Sequence, residues 1–146
     1  MEYDNEMILE MSAKSRNESF ARVVAASFAA SLDPTVAEVA DIKTAVSEAV
    51  TNAIIHGYGE SPKNGTVTLK CGILQDTIYI EIIDFGKGIS DIEEAMTPLY
   101  TSAPEDERSG MGFTIMETFM DSVEVLSQPS KGTVVRMSKK IGQRDI

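Results

Sequence analysis

The stretch EAVTNAIIHG, residues 48–57, places a carboxylate, an amide and an imidazole along one side of a helix. Glu48, Asn52 and His56 are four residues apart, so they drift by only about 40° per step and form a polar stripe beside an apolar one. A carboxylate there can take a proton from a hydroxyl nucleophile, and an amide oxygen can hold Mg²⁺. A solvated helix face would show the same stripe, so a second signal is needed to choose between the two interpretations.

The run TIYIEIID, residues 77–84, supplies that signal because its residues alternate like a strand. Asp84 shares the parity of three isoleucines and therefore points into the layer that they fill. An unpaired charge there would be costly, whereas an adenine amino group can donate to the carboxylate. The alternative is that Asp84 only begins the turn DFGKG.

Two glycine pairs flank a long irregular segment. Gly86 and Gly88 follow the strand and allow a ligand to approach the backbone closely. Gly110 and Gly112 directly precede a predicted helix, whose free N–H groups and positive dipole end favour a phosphate. Arg108 either supplies positive charge to that phosphate or lies on a solvated loop.

Length and composition limit the function classes. At 146 residues the chain is expected to form a single domain over residues 1–146. Its 23 acidic and 13 basic residues give a formal net charge of −10, which disfavours direct nucleic-acid or membrane binding. The single Cys71 excludes an intramolecular disulfide framework and, with no long apolar run, indicates a cytoplasmic protein.

Helical spacing predicts two helices in the first 57 residues. Residues 15–32 form the first, with a core-facing stripe of Phe20, Val24, Phe28 and Leu32. Pro34 is predicted as the first residue of the second, which runs to Gly57. Its buried face comprises Val39, Ile42, Val46, Ala49, Val50 and Ala53.

The rest of the chain predicts strands and one more helix. Runs 66–74 and 77–84 form a hairpin, and closing strands follow a third helix near residues 110–120. A weaker signal marks a strand at about residues 6–13. The segment over about 90–109 reads as a flexible lid, since it is longer than an ordinary connection. The predicted class is α+β: a two-layer α/β sandwich whose mixed, mainly antiparallel sheet is covered on one face by three helices.

Four short motifs occur in the chain in the order that one known superfamily shows. ExxxN in EAVTN, DxGxG in DFGKG, GxG in SGMGF and then Gly132-Thr133 together resemble the ATP-binding boxes of the GHKL superfamily. That superfamily includes gyrase, Hsp90, histidine kinases and MutL, and the resemblance implies the Bergerat ATP-binding fold. The boxes cover roughly residues 35–138.

Within the superfamily, ESFAR at 18–22, SEAVTNAIIHGY at 47–58 and ERSGMGFTIME at 107–117 resemble the anti-sigma F factors of endospore-forming bacteria. The resemblance implies that the chain binds and inhibits a sigma factor of sigma-F type. It also implies an ATP-dependent protein-serine kinase, acting on a serine of an anti-anti-sigma protein, and a homodimer.

The resemblance also implies roles for individual residues. Glu48 would be the general base, Asn52 would coordinate Mg²⁺, Asp84 would bind the adenine amino group and Thr133 would complete the adenine pocket. His56 receives no role. The remaining contacts to ATP or ADP would come from Gly86, Gly88, Arg108, Gly110, Met111 and Gly112.

A partner surface is predicted on the first helix. Arg22 lies about 200° from Phe20, and Ala25 and Ala29 flank it, so this face is expected to be exposed, small and flat. Helix propensity alone would also account for the alanines. The resemblance at ESFAR favours partner binding through Arg22.

Two alternatives share the same boxes. The chain could act as a nucleotide-dependent sigma-binding module without kinase activity, although a pure binder has less need of Glu48 as a base. It could also be one of the general-stress anti-sigma serine kinases, which the sequence does not separate from the sporulation type.

Overall fold

The structure, a computed structural model, describes residues 2–57, 65–86 and 112–142. The predicted lid over about 90–109 lies outside these ranges. Within these ranges, five strands form one sheet, and three α-helices pack on it. The strands are β1 (Asn5–Ser12), β2 (Thr66–Leu74), β3 (Thr77–Asp84), β4 (Ser122–Gln128) and β5 (Gly132–Lys140). The helices are α1 (Asn17–Ala29), α2 (Val36–Asn52) and α3 (Gly112–Phe119).

The sheet has the strand order β1-β2-β3-β5-β4. The sequence predicts a mixed sheet, but every neighbouring pair among the described strands is antiparallel. The predicted hairpin of β2 and β3 is confirmed, with Gln75 in its turn at a φ of 56°. The N-terminal strand is confirmed as well, because β1 pairs with β2 along its whole length.

Alternation along the strands decides which sheet face is buried. On β3, Ile78 and Ile80 are fully buried beneath the helices, whereas their neighbour Tyr79 points to the open face and is partly exposed. Helix α2 contacts both α1 and α3 and so lies in the middle of the helical layer. The predicted α+β two-layer sandwich is confirmed.

Helix α2 begins later than the sequence predicts. Pro34 is not its first residue, because the helix starts at Val36 with Thr35 as its N-cap. Thr35 Oγ1 accepts from the Glu38 N–H at 3.1 Å, and the Glu38 carboxylate accepts from the Thr35 N–H at 2.8 Å. This capping box fixes the start of the helix because it satisfies two otherwise unpaired donors.

The predicted core-facing stripe of helix α1 is confirmed in part, because Val24, Phe28 and Leu32 are partly buried and pack against the core. Phe20 is 53% exposed and Val23 is 54% exposed, although Phe20 is predicted to face the core. The predicted small, flat, exposed face is wrong, because Ala25 and Ala29 are fully buried. The reason is that α1 packs against both α2 and the sheet, where short alanine side chains permit close approach.

Within the described ranges, no helix combines the length and the apolar character needed to cross a membrane.

Candidate functional site

Asp84 ends β3 with its side chain buried, as the strand parity predicts. Its carboxylate accepts hydrogen bonds from the Gly86 N–H, at 2.9 Å, and from the backbone N–H of Thr133. Thr133 is its directly opposite partner on β5 and is also buried. Asp84 therefore begins a turn and is a buried acceptor at once, so the two interpretations of this residue are compatible.

The charge of Asp84 depends on pH near neutrality. Burial raises the pKa of its carboxyl group from 3.8 to about 6, and the hydrogen bonds from Gly86 and Thr133 oppose part of that rise. Above about pH 6 the site presents a desolvated carboxylate. A ligand that donates a hydrogen bond to it would relieve this desolvation.

Asp84→Asn is expected to stabilise the ligand-free protein above pH 6. Because the folded-state pKa is raised, the folded protein binds the proton more tightly, and stability is lost as pH rises from about 3.8 to about 6. The uncharged amide avoids that loss. The free energy of unfolding of the variant should therefore exceed that of the wild type by about 1 to 3 kcal/mol at pH 8 and should nearly equal it at pH 3.5. Thermal unfolding of both proteins at the two pH values measures this, and an Asn variant less stable at pH 8 would contradict it.

Thr133 has a second polar neighbour, on β4. The Ser127 hydroxyl lies 2.7 Å from Thr133 Oγ1 and donates to the Gly132 carbonyl at 3.0 Å. Ser127 is half-buried and stands opposite Thr133 in the β4–β5 register. Ser127 cannot be identified from the sequence alone, because only that register brings it to the site.

Gly132 brings β5 unusually close to the end of β3. Its φ is +103°, and a Cβ at this position would lie 2.1 Å from the Asp84 carbonyl oxygen and 2.7 Å from the Phe85 Cα. Only glycine fits such an approach without moving the backbone. In the sequence, Gly132 belongs to the last of the four motifs, but its own role becomes visible only in the folded chain.

A shallow cleft of about 420 Å³ lies at the same end of the sheet. Its lining includes Ile83, Leu126 and Val134, whose parity places them on the open face, away from the helices. The side chains of Asp84 and Thr133 point toward the helical layer instead. Asp84, Ser127 and Thr133 also contribute to the lining, so the cleft adjoins the Asp84 site at this end of the sheet.

The predicted catalytic stripe lies on the last two turns of α2. Glu48 and Asn52 are both half-buried there. Gly112, the first residue of α3, packs directly on Asn52, since a Cβ at Gly112 would lie 2.8 Å from Asn52 Nδ2. Gly112, the second residue of this glycine pair, therefore contacts the polar stripe at Asn52. This contact is expected if the stripe and the glycine pair belong to one site.

A short π-helical turn, Ala53–Gly57, follows Asn52. It contacts β3 and β5, the strands that carry Asp84 and Thr133. Such π-turns inside α-helices often occur at functional sites. This one connects the Asn52 end of α2 with the strands of the Asp84 site.

Four predicted site residues lie outside the described ranges: Gly88, Arg108, Gly110 and Met111. Among the described residues, no group of three or more acidic, histidine or cysteine side chains is arranged to hold a metal ion.

The family model for the histidine kinase-like ATPase domain matches residues 11–139. The anti-sigma F factor of Caldanaerobacter subterraneus subsp. tengcongensis is 62% identical over 143 residues, which cover 98% of this chain and 99% of that protein. The chain belongs to the anti-sigma F factor family, within the histidine kinase-like ATPases. A further member, the anti-sigma F factor of Clostridium perfringens strain 13, is 60% identical and matches 94% of this chain and 98% of its own.

Solved structures agree on the fold. The RsbU and RsbW domains of a Mycobacterium tuberculosis protein match with a TM-score of 0.67 at 16% identity, covering 94% of this chain and 32% of that one. The catalytic domain of histidine kinase ThkA matches with a TM-score of 0.59 at 14% identity, covering 92% and 96%. This anti-sigma F factor family member thus has the fold of a kinase-type ATPase domain.

Proposed function

We propose that the chain, as a single domain, binds and inhibits a sigma factor of sigma-F type and also phosphorylates an anti-anti-sigma protein on serine with ATP. The observation that carries the proposal is the 62% identity, over 98% of the chain, to a protein named anti-sigma F factor. Two further observations support the kinase activity. Glu48 and Asn52 lie on the last turns of α2, and α3 begins at Gly112 against Asn52. Asp84 and Thr133 form a buried polar pair on β3 and β5.

The transfer step assigns a role to each part of the site. Asp84 and Thr133 would hold the adenine, with Gly86 lining it, and the start of α3 at Gly112 would face the phosphates. The Glu48 carboxylate would take the proton of the incoming serine hydroxyl while that oxygen bonds to the γ-phosphorus and ADP leaves. Gly88, Arg108, Gly110 and Met111 complete the proposed nucleotide contacts.

The residues present fit Mg²⁺ bound together with nucleotide. Mg²⁺ commonly takes one or two protein ligands and fills its shell with phosphate oxygens and water. Asn52 offers one amide oxygen beside Gly112, and the described residues form no separate metal cage. Bound there, the ion would neutralise charge on the phosphates, which matters in a chain of net charge −10.

Gly112→Ala is expected to weaken ADP·Mg²⁺ binding about tenfold or more without unfolding the protein. The added methyl group would displace the Asn52 amide, which lies 2.8 Å from its position. Alanine is the better helix former, so thermal stability should hold. Isothermal titration and thermal unfolding measure the two effects. Glu117→Ala, at an exposed position of α3, is the control, and equal affinities in both variants would contradict the role of Asn52.

The partner surface is proposed on the exposed side of α1. Arg22 is exposed there, and its Nη1 atom lies 3.8 Å from Glu18 Oε1. The apolar side chains of Phe20 and Val23 are more than half exposed on the same helix. An exposed arginine and two exposed apolar side chains on one helix suit contact with another protein better than the flat alanine face that the sequence predicts. The homodimer implied by the family resemblance stays a prediction.

One experiment tests both activities. The tagged chain is incubated with γ-labelled ATP, Mg²⁺ and lysate of a sporulating, endospore-forming bacterium, then recovered, and bound proteins are identified by mass spectrometry. A labelled small protein together with a captured sigma factor supports the proposal. A captured sigma factor without label would favour a pure binding module, and capture of a stress sigma factor would favour the general-stress kinases. If no protein is labelled and no sigma factor is captured, the proposal is overturned.

A further inference from the structure

Lys139 lies on β5 at a position where the alternation of the strand predicts an apolar side chain. Val135 and Met137 share its parity, and both are buried beneath the helices. The side chain of Lys139 is only 13% exposed. An apolar side chain there would avoid the desolvation cost of the charge. Stability alone therefore does not account for the lysine.

The ammonium group of Lys139 joins β5 to two helices. Its Nζ donates to the carbonyl oxygen of Phe119, the last residue of α3, at 2.7 Å. The same Nζ lies 3.4 Å from Asp41 Oδ2 on α2. A cation at this end of a helix also interacts favourably with the helix dipole. Lys139, the Phe119 carbonyl and Asp41 thus form a clamp on the end of α3.

Two hydrogen bonds next to the clamp also hold the chain after α3. The Asp121 N–H donates to the Ser138 carbonyl oxygen at 2.9 Å. The Lys140 N–H donates to the Asp121 carboxylate at 2.6 Å. Both bonds join this part of the chain to β5, whereas the clamp also joins it to α2, the helix that carries Asn52.

The opposite end of α3 lies at the site. Gly112, its first residue, packs so closely on Asn52 that a Cβ would lie 2.8 Å from Asn52 Nδ2. The helix has eight residues and is therefore roughly 12 Å long. A tilt of about 5° at the clamp would move Gly112 by about 1 Å relative to Asn52. Displacements of about 1 Å are enough to impair groups that act through their position.

We propose that Lys139 is a positioning residue, whose clamp on the end of α3 holds the start of that helix against Asn52 for binding of the nucleotide phosphates. This inference rests on the proposed function, in which Mg²⁺ and the phosphates bind at Asn52 and Gly112 and the adenine binds at Asp84. Loss of the clamp weakens the contacts to the phosphates and leaves the contacts to the adenine unchanged.

The test compares ADP·Mg²⁺ with adenosine, which has the same base and sugar but no phosphates. Both affinities are measured by displacement of a fluorescent ADP analogue, whose own affinity is determined for each variant. Lys139→Met removes the charge and keeps a long side chain. It is expected to weaken ADP·Mg²⁺ binding about five- to tenfold, the usual contribution of one hydrogen bond, and to leave adenosine affinity within about twofold.

Lys140→Met is the matched control. Lys140 is the next residue of β5, but it is exposed, and its Nζ lies 3.7 Å from Asp76 Oδ2, away from α3. This variant keeps the backbone N–H that bonds to Asp121 and should leave both affinities unchanged.

Unchanged ADP·Mg²⁺ affinity in Lys139→Met would overturn the inference. Equal weakening of ADP·Mg²⁺ and adenosine would also overturn it, because a general loosening of the fold affects both ligands alike. If Lys139→Met does not fold, Asp41→Asn replaces it in the same comparison, with the same two outcomes against the inference. A wild-type chain that binds neither ADP nor adenosine would instead refute the proposed function.

Discussion

Glu48→Gln is expected to reduce phosphoryl transfer to the partner serine about 10²- to 10⁴-fold, the usual contribution of a general base. The amide has the shape of the carboxylate but cannot take the serine proton. ADP·Mg²⁺ affinity should stay within about twofold, because the proposed nucleotide contacts lie at Asn52, Asp84 and Thr133. Single-turnover transfer from γ-labelled ATP and a separate ADP titration measure the two quantities.

Glu117→Gln is the control for this change. It makes the same replacement of carboxylate by amide at an exposed position of α3, and it should leave transfer intact. If Glu48→Gln transferred phosphate at the wild-type rate, Glu48 would not be the base. If transfer and nucleotide binding fell together, Glu48 would act in binding or folding instead.

The sequence predicts which strand residues face the core, but it predicts the orientation of α1 only in part. Alternation along β3 identifies Ile78 and Ile80 as inward-facing because a half-buried strand has a period of two. Helix α1 carries two apolar stripes, one of large side chains and one of alanines. Periodicity favours the larger stripe, of which Val24 and Phe28 pack against the core while Phe20 is exposed. The alanine stripe with Ala25 and Ala29 is buried more deeply, because α1 packs against both α2 and the sheet.

Some residues of the site can be predicted from their own strand, and others depend on how the strands pair. Asp84 can be predicted from its own strand, since parity alone turns it toward the helices. Ser127 and the close approach of Gly132 cannot, because both depend on which residues of β3, β4 and β5 stand opposite one another. A single sequence contains the strands but not their register, so contacts between strands become visible only in the folded chain.

Gly132→Ala is expected to lower the free energy of unfolding by about 3 to 5 kcal/mol and to abolish measurable ADP binding. The residue has a φ of +103°, which alanine adopts only with strain, and its Cβ would lie 2.1 Å from the Asp84 carbonyl oxygen. The obstructing atoms are backbone, so no rotamer change relieves the clash. Strands β3 and β5 must separate just where the Thr133 N–H donates to the Asp84 carboxylate. Urea unfolding and ADP titration measure the two losses.

Ser130→Ala separates this effect from a general sensitivity of the β4–β5 turn. Ser130 is exposed in the same turn and already has a φ of 67° with a side chain present, so alanine there should change the unfolding free energy by less than about 1 kcal/mol. The proposed spacing role requires the two variants to differ in both measurements. If Gly132→Ala matched Ser130→Ala in its urea midpoint and ADP affinity, the turn would accommodate a side chain at position 132 with little loss of stability. Asp84 would then keep its position without the close approach of β5.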